Sequence, residues 1–140
     1  MPQYSDKSQK LLLQCHDDLQ IVFNFAIKIH DITILDTTIR TIEQQREFVR
    51  TGKSWTMDSK HLICEKREKS DAVDFTPYPV NWNDRERFAY VAGTIIGIAE
   101  YLYSIGVIKS RFRWGGDWNM NSETKDEKHS DMPHIERIAG

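Results

Sequence analysis

The run "NDRERFAYVAGTIIGIAEYLYSIG" constrains this chain more than any other stretch. Asn83 as N-cap with Glu86 three positions later forms a capping-box pattern. Phe88, Val91, Ala92, Ile95, Ala99, Leu102 and Tyr103 then recur at three-and-four spacing until Gly106, a natural left-handed stop. A long helix with one apolar stripe has to bury that stripe against a second layer.

The rest of the chain supplies that layer in short pieces. Leu12, Cys15, Leu19, Val22, Phe23, Ala26 and Ile27 share a helical face, which predicts a first helix from Asp6 to His30. "DITILDTTIR" reads as a short strand ending near Thr38, followed by a helix from Ile42 to about Arg50 that stops at Gly52. Residues 53–70, with the charge run "CEKREKSD", read as an exposed loop. "AVDF", "KSRFRW" and "PHIER" read as strands, the second turning at Gly115 and Gly116. Helices and strands thus mix along 140 residues, which predicts a single α+β domain spanning 1–140, a small antiparallel sheet packed by the two longer helices.

Charge and cysteine usage narrow the function. Nineteen basic residues against twenty-one acidic ones leave a net charge of −2, so no overall field is available for nucleic acid or anionic lipid. Cys15 and Cys64 form no CxxC pair and fit reduced thiols of a cytosolic product. "MPQYSDKSQK" has no apolar core of a signal peptide, and no later stretch is apolar for long enough to span a bilayer.

Hydrolytic zinc sites need a few imidazoles or carboxylates and one position left for water. His61, Asp74 and His134 are the candidates here, whereas His16 on the first helix and His30 near its end, suited as an imidazolium to the terminal carbonyls, need no catalytic explanation. Strand alternation in "AVDF" turns Asp74 away from Val73 and Phe75, and Asp71 away from Asp74. In "SDMPHIE", Asp131 is close enough to His134 for its carboxylate to take a proton from a metal-activated water. Cys64, three residues past His61, is a rival ligand that would close the site. His129 with Glu123, Asp126 and Glu127 offers contacts for a second, harder cation such as calcium, without the regular spacing of a calcium loop.

"SKHL", "DAVDF", "RWGGDWN" and "DMPHIE", in that order, resemble the zinc peptidases of the D-alanyl-D-alanine carboxypeptidase and L-alanyl-D-glutamate endopeptidase family, closest to the phage endolysin branch. The resemblance runs from about Ile39 to Glu136. It implies a hedgehog/DD-peptidase-like fold with zinc on His61, Asp74 and His134, and Asp131 as the general base that becomes the acid for the leaving amine. It also implies that Arg40 acts in catalysis and, with Gln44, Ser59, Trp114 and Asp117, in substrate binding, Asp117 also being a candidate for holding a ligand histidine in its tautomer. The spacing departs from the family between His61 and Asp74, where "LICEKREKS" is longer and Ser70 stands at an expected glycine.

The function so implied is hydrolysis of the peptidoglycan stem peptide at the L-alanyl-D-glutamate bond by a monomer made in the host cytoplasm. It would reach the wall after the membrane is permeabilised, without a separate wall-binding domain. A D,D-carboxypeptidase or dipeptidase on the same site, and an inactive zinc-stabilised wall-binding module, are the alternatives.

Overall fold

A computed structural model describes residues 2–65, 67–128 and 130–139. Helices α1 (Asp6–Leu12) and α2 (Asp17–Ala26) lead into strand β1 (Ile32–Ile34), a 3-10 turn at Asp36–Thr38, and helix α3 (Ile42–Arg50). Strand β2 (Ala72–Pro77), helix α4 (Arg85–Ser104), and strands β3 (Ser110–Trp114) and β4 (His134–Ala139) complete the chain. The four strands form one antiparallel sheet in the order β1-β2-β4-β3. The architecture is the expected α+β one.

The apolar stripe of α4 does bury itself: Phe88, Val91, Ala92, Ile95, Ala99 and Leu102 are all in the core. They meet α2 on one side and β2 and β3 on the other. Phe23, Phe75, Phe88 and Phe112 are fully buried, and each such side chain is worth about 1.5–3 kcal/mol of transfer free energy. β2 is buried along its whole length, with Val73 and Phe75 in the core and Asp74 on the opposite face.

Four local expectations need correction. The helix expected from Asp6 to His30 is two helices, because the chain leaves helical geometry to pair with residue 70. Ser70 N donates to Gln14 O and His16 N to Ser70 O, both at 2.9 Å, forming a parallel bridge between Cys15 and Ser70. His16 is therefore not on a helix face but is the N-cap of α2, its Nδ1 accepting from Asp18 N at 3.0 Å. His30 does not serve a helix end as an imidazolium. It meets Thr94 Oγ1 at 2.9 Å and the ring of Tyr90, and burial, then the Arg87 charge, lower its pKa. The cap of α4 is Asp84 rather than Asn83, its Oδ1 accepting from Arg87 N at 3.1 Å. Gly52 and Gly106 do take the positive φ expected of helix stops, +80° and +79°.

Candidate metal centre and cleft

Sheet register brings two of the candidate ligands together. Asp74 on β2 stands directly opposite His134, the first residue of β4. His61 arrives from the loop before β2, whose flanks pair with the segment after the 3-10 turn: Arg40 N donates to His61 O at 3.2 Å and Ile63 N to Arg40 O at 2.9 Å. All three side chains are buried. Their donor atoms lie within 4.8 Å of one another.

Hydrogen bonds at the far side of each ring fix which nitrogen faces the centre. His61 Nδ1 lies 2.9 Å from the Thr38 carbonyl, which can only accept, so this nitrogen carries the proton and Nε2 presents a lone pair. His134 Nε2 lies 2.8 Å from Glu136 Oε1, so Nδ1 of that ring faces the centre. The two inward nitrogens are 3.0 Å apart. Asp74 Oδ1 is 3.0 Å from His61 Nε2 and 3.6 Å from His134 Nδ1, yet it is a buried oxygen without an aligned hydrogen bond. Oδ2 of the same carboxylate is occupied, accepting from Thr37 Oγ1 at 2.6 Å and Arg40 Nη2 at 3.2 Å.

This donor set fits a cation. Two lone pairs and a carboxylate oxygen converge on one point, and something positive has to stand among them. The edges of a tetrahedron with metal–ligand bonds of about 2.0–2.1 Å are roughly 3.3–3.4 Å, and the observed triangle of 3.0, 3.0 and 3.6 Å brackets that value. A proton on His134 would meet the same demand. Burial lowers the pKa of His61, and burial opposes charge on His134 too, but Asp74 and Glu136 outweigh it there and raise His134 to about 9. Burial alone would raise Asp74, whereas the two imidazoles hold it well below the usual carboxylate range. For Glu136 burial is likewise overcome, by His134 and Arg113, and its pKa falls to about 2.

Asp131 stands beside this group. It lines a cleft of about 710 Å³ together with Arg40, Ser59, His61, Trp118 and His134. Desolvation within the cleft and then the Asp74 charge raise its pKa. Its backbone is pinned by Asp131 N donating to Gly115 O at 2.7 Å and His134 N donating to Asp131 O at 3.1 Å. A Cβ on Gly115 would come within 2.1 Å of Asp131 O, and one on Gly116 within 2.4 Å of the Trp114 ring. The two glycines permit that close approach.

The other sequence candidates fall at different distances from the centre. Arg40 lines the cleft, its Nε donating to Thr37 O at 2.8 Å and Nη1 to Gln45 Oε1 at 3.1 Å. Ser59 is on the cleft wall, where its Oγ accepts from His61 N at 3.2 Å. Gln44 completes the capping box of α3 with Thr41. Trp114 donates from Nε1 to Met132 O at 2.7 Å and, with Asp117, lines a neighbouring groove of about 440 Å³ between α4 and β3. The Asp117 carboxylate accepts from the backbone amides of Asn121 and Ser122 at 3.1 and 2.9 Å and shapes that loop. Cys64 is exposed in a two-way backbone pairing with Arg67, and the clustered donors among the described residues do not include it. His129 lies outside the described residues.

Two further residues of the site carried no assigned role in the sequence. Glu136 orients His134 and is itself held by Arg113 Nη2 at 2.7 Å, the arrangement by which a carboxylate fixes a metal-binding imidazole. Its signal was the two-residue spacing from His134 on one strand face, which brings the side chains together. Gln45, next to the Gln44 singled out by resemblance, is the fully buried one.

No curated protein matches the chain. Among solved structures, the L-Ala D-Glu endopeptidase ChiX of Serratia marcescens aligns with a TM-score of 0.70 and 25% identity, over 97% of this chain and 90% of that one. The family model described as phage L-alanyl-D-glutamate peptidase matches residues 2–138. With a match over nearly its whole length and a His-Asp-His group able to hold a metal, two of whose members line its cleft, the chain belongs to the phage L-alanyl-D-glutamate peptidase family.

Proposed function

We propose that this protein is a zinc-dependent peptidoglycan hydrolase that cuts the stem peptide between L-alanine and D-glutamate. The observation that carries the proposal is the convergence of His61 Nε2, His134 Nδ1 and Asp74 Oδ1 beside a cleft that His61, His134 and Asp131 line. Zinc bound to those three atoms would polarise the scissile carbonyl and bring the pKa of a water towards about 7.

The chain's own groups supply the rest. The Asp131 carboxylate accepts the proton of the attacking water and returns it to the leaving amine, a double task that its raised pKa suits. Arg40 keeps Asp74 Oδ2 turned outward so that Oδ1 faces the centre. Three of its five N–H donors are taken, and the remainder can meet a substrate carboxylate or the developing oxyanion. Thr38 O and Glu136 hold the two imidazoles in the tautomers the site requires. Ser59 Oγ steadies the backbone at His61. The site of action is the wall, reached from the host cytoplasm once the membrane has been permeabilised. No helix among the described residues is long and apolar enough to cross a membrane.

The test is mass spectrometry of purified peptidoglycan digested by zinc-loaded protein, with a chelated sample and Asp131→Ala as controls. New N-terminal D-glutamate in the zinc-loaded digest alone is the expected result. Released D-alanine would move the assignment to carboxypeptidase, and the absence of any cleavage by folded, zinc-bound protein would overturn it.

A further inference from the structure

α3 has one fully buried side chain, and that side chain is polar. Gln45 has no exposure to solvent. An amide in that position is unfavourable unless its groups are met, and a methionine of similar volume would pack with no such demand. Here the demand is met in two directions. Gln45 Nε2 donates to Ser54 Oγ at 2.9 Å and to Thr56 O at 2.7 Å, while Oε1 accepts from Arg40 Nη1 at 3.1 Å.

These partners belong to separate parts of the cleft. Ser54 and Thr56 bracket Trp55, which is 70% exposed, and all three line the cleft wall. This wall has neither helix nor strand; Ser54 N donates to Phe48 O at 3.0 Å, Ser54 Oγ bridges to Thr56, and Asp58 N donates to Thr56 Oγ1 at 3.0 Å. Arg40 leads the other way, to Asp74 Oδ2 at 3.2 Å. One buried amide therefore joins the wall to the carboxylate of the metal group.

We propose that Gln45 is a positioning residue that locks the Trp55 wall to the Arg40–Asp74 frame, so that the wall grips the peptide in register with the metal centre. The inference rests on the peptidase reading of this cleft. Without the amide the wall loosens and substrate binding suffers first, with a smaller effect on turnover through Arg40.

The experiment uses full-length, zinc-loaded protein carrying Gln45→Met, which keeps side-chain volume. Hydrogen exchange of amides 53–58 should accelerate at least ten-fold while the sheet is unchanged, and KM for a soluble stem-peptide fragment should rise at least five-fold with a smaller fall in kcat. In a Trp55→Ala background the same substitution should add little to KM. Unchanged exchange in the folded variant overturns the tether, and loosened exchange with wild-type KM overturns its role in binding. If Gln45→Met does not fold, Ser54→Ala removes the wall end of the same link and should move both readouts in the same direction. Should the wild-type protein cleave no peptidoglycan, the peptidase reading falls, and the exchange result alone then decides whether Gln45 is a tether.

Discussion

Two imidazole nitrogens that face each other at 3.0 Å, with their outer N–H groups already committed to Thr38 O and Glu136, hold a cation between them or repel. Against burial, Asp74 and Glu136 raise the pKa of His134 to about 9, which favours a proton as that cation when no metal is bound. A metal ion has to displace it. Zinc uptake at pH 7 should therefore release close to one proton per ion, and apparent affinity should fall as pH drops below about 9, which titration calorimetry in buffers of different ionisation enthalpy will measure. Glu136→Gln keeps the shape but removes the charge behind His134, and a loss of roughly 10–100-fold in zinc affinity is expected in chelator competition. Asp131→Ala should bind zinc and remain folded while hydrolysis falls by at least about 10²-fold; wild-type turnover in that variant would remove Asp131 from the mechanism. That His61, Asp74 and His134 come together, with Asp131 on the adjoining cleft, was legible because each sits in a short motif. Glu136 and Gln45 were not, because their importance lies in which atom they touch across a turn or a loop.

At the level of elements, what the sequence revealed follows from how local each signal is. α3 was readable up to its stop at Gly52, and α4 from a stripe repeated over five turns, whereas the capping box of α3 at Thr41 and Gln44 emerges only in the structure. The interruption between α1 and α2 was hidden, because the apolar spacing continues across it and the cause, pairing with Ser70, lies more than fifty residues away. The same Ser70 stands where the resemblance expects glycine. Its hydroxyl bonds Ala72 O at 2.7 Å, so the loop before β2 is closed by a side chain instead. The turn after β3 has less tolerance. Gly115→Ala puts a methyl group on the Asp131 carbonyl, and a stability loss of about 1–3 kcal/mol is expected from such overpacking. Activity should fall further than that loss explains, since the displaced residue is the proposed base; thermal melts and kcat measured together will separate the two.

Across the whole molecule, the group able to hold a metal draws on three separate segments of the chain, at residues 61, 74 and 134. Binding to the folded state alone adds RT ln(1 + [L]/Kd), about 4 kcal/mol at a thousand-fold excess over Kd. Chelation should accordingly lower the melting temperature by several degrees, and restoring zinc should reverse the shift in proportion to the logarithm of its concentration. The sheet order β1-β2-β4-β3 could not be read from the sequence, since strand patterns say which face is buried but not which neighbour is chosen. The two cysteines also fall into unequal places: Cys15 is fully buried with its thiol pushed up to about 12, while Cys64 is exposed near the cleft loop. A maleimide dye added at neutral pH will therefore label the native chain at one position, giving a fluorescent reporter of wall attachment without any engineered residue.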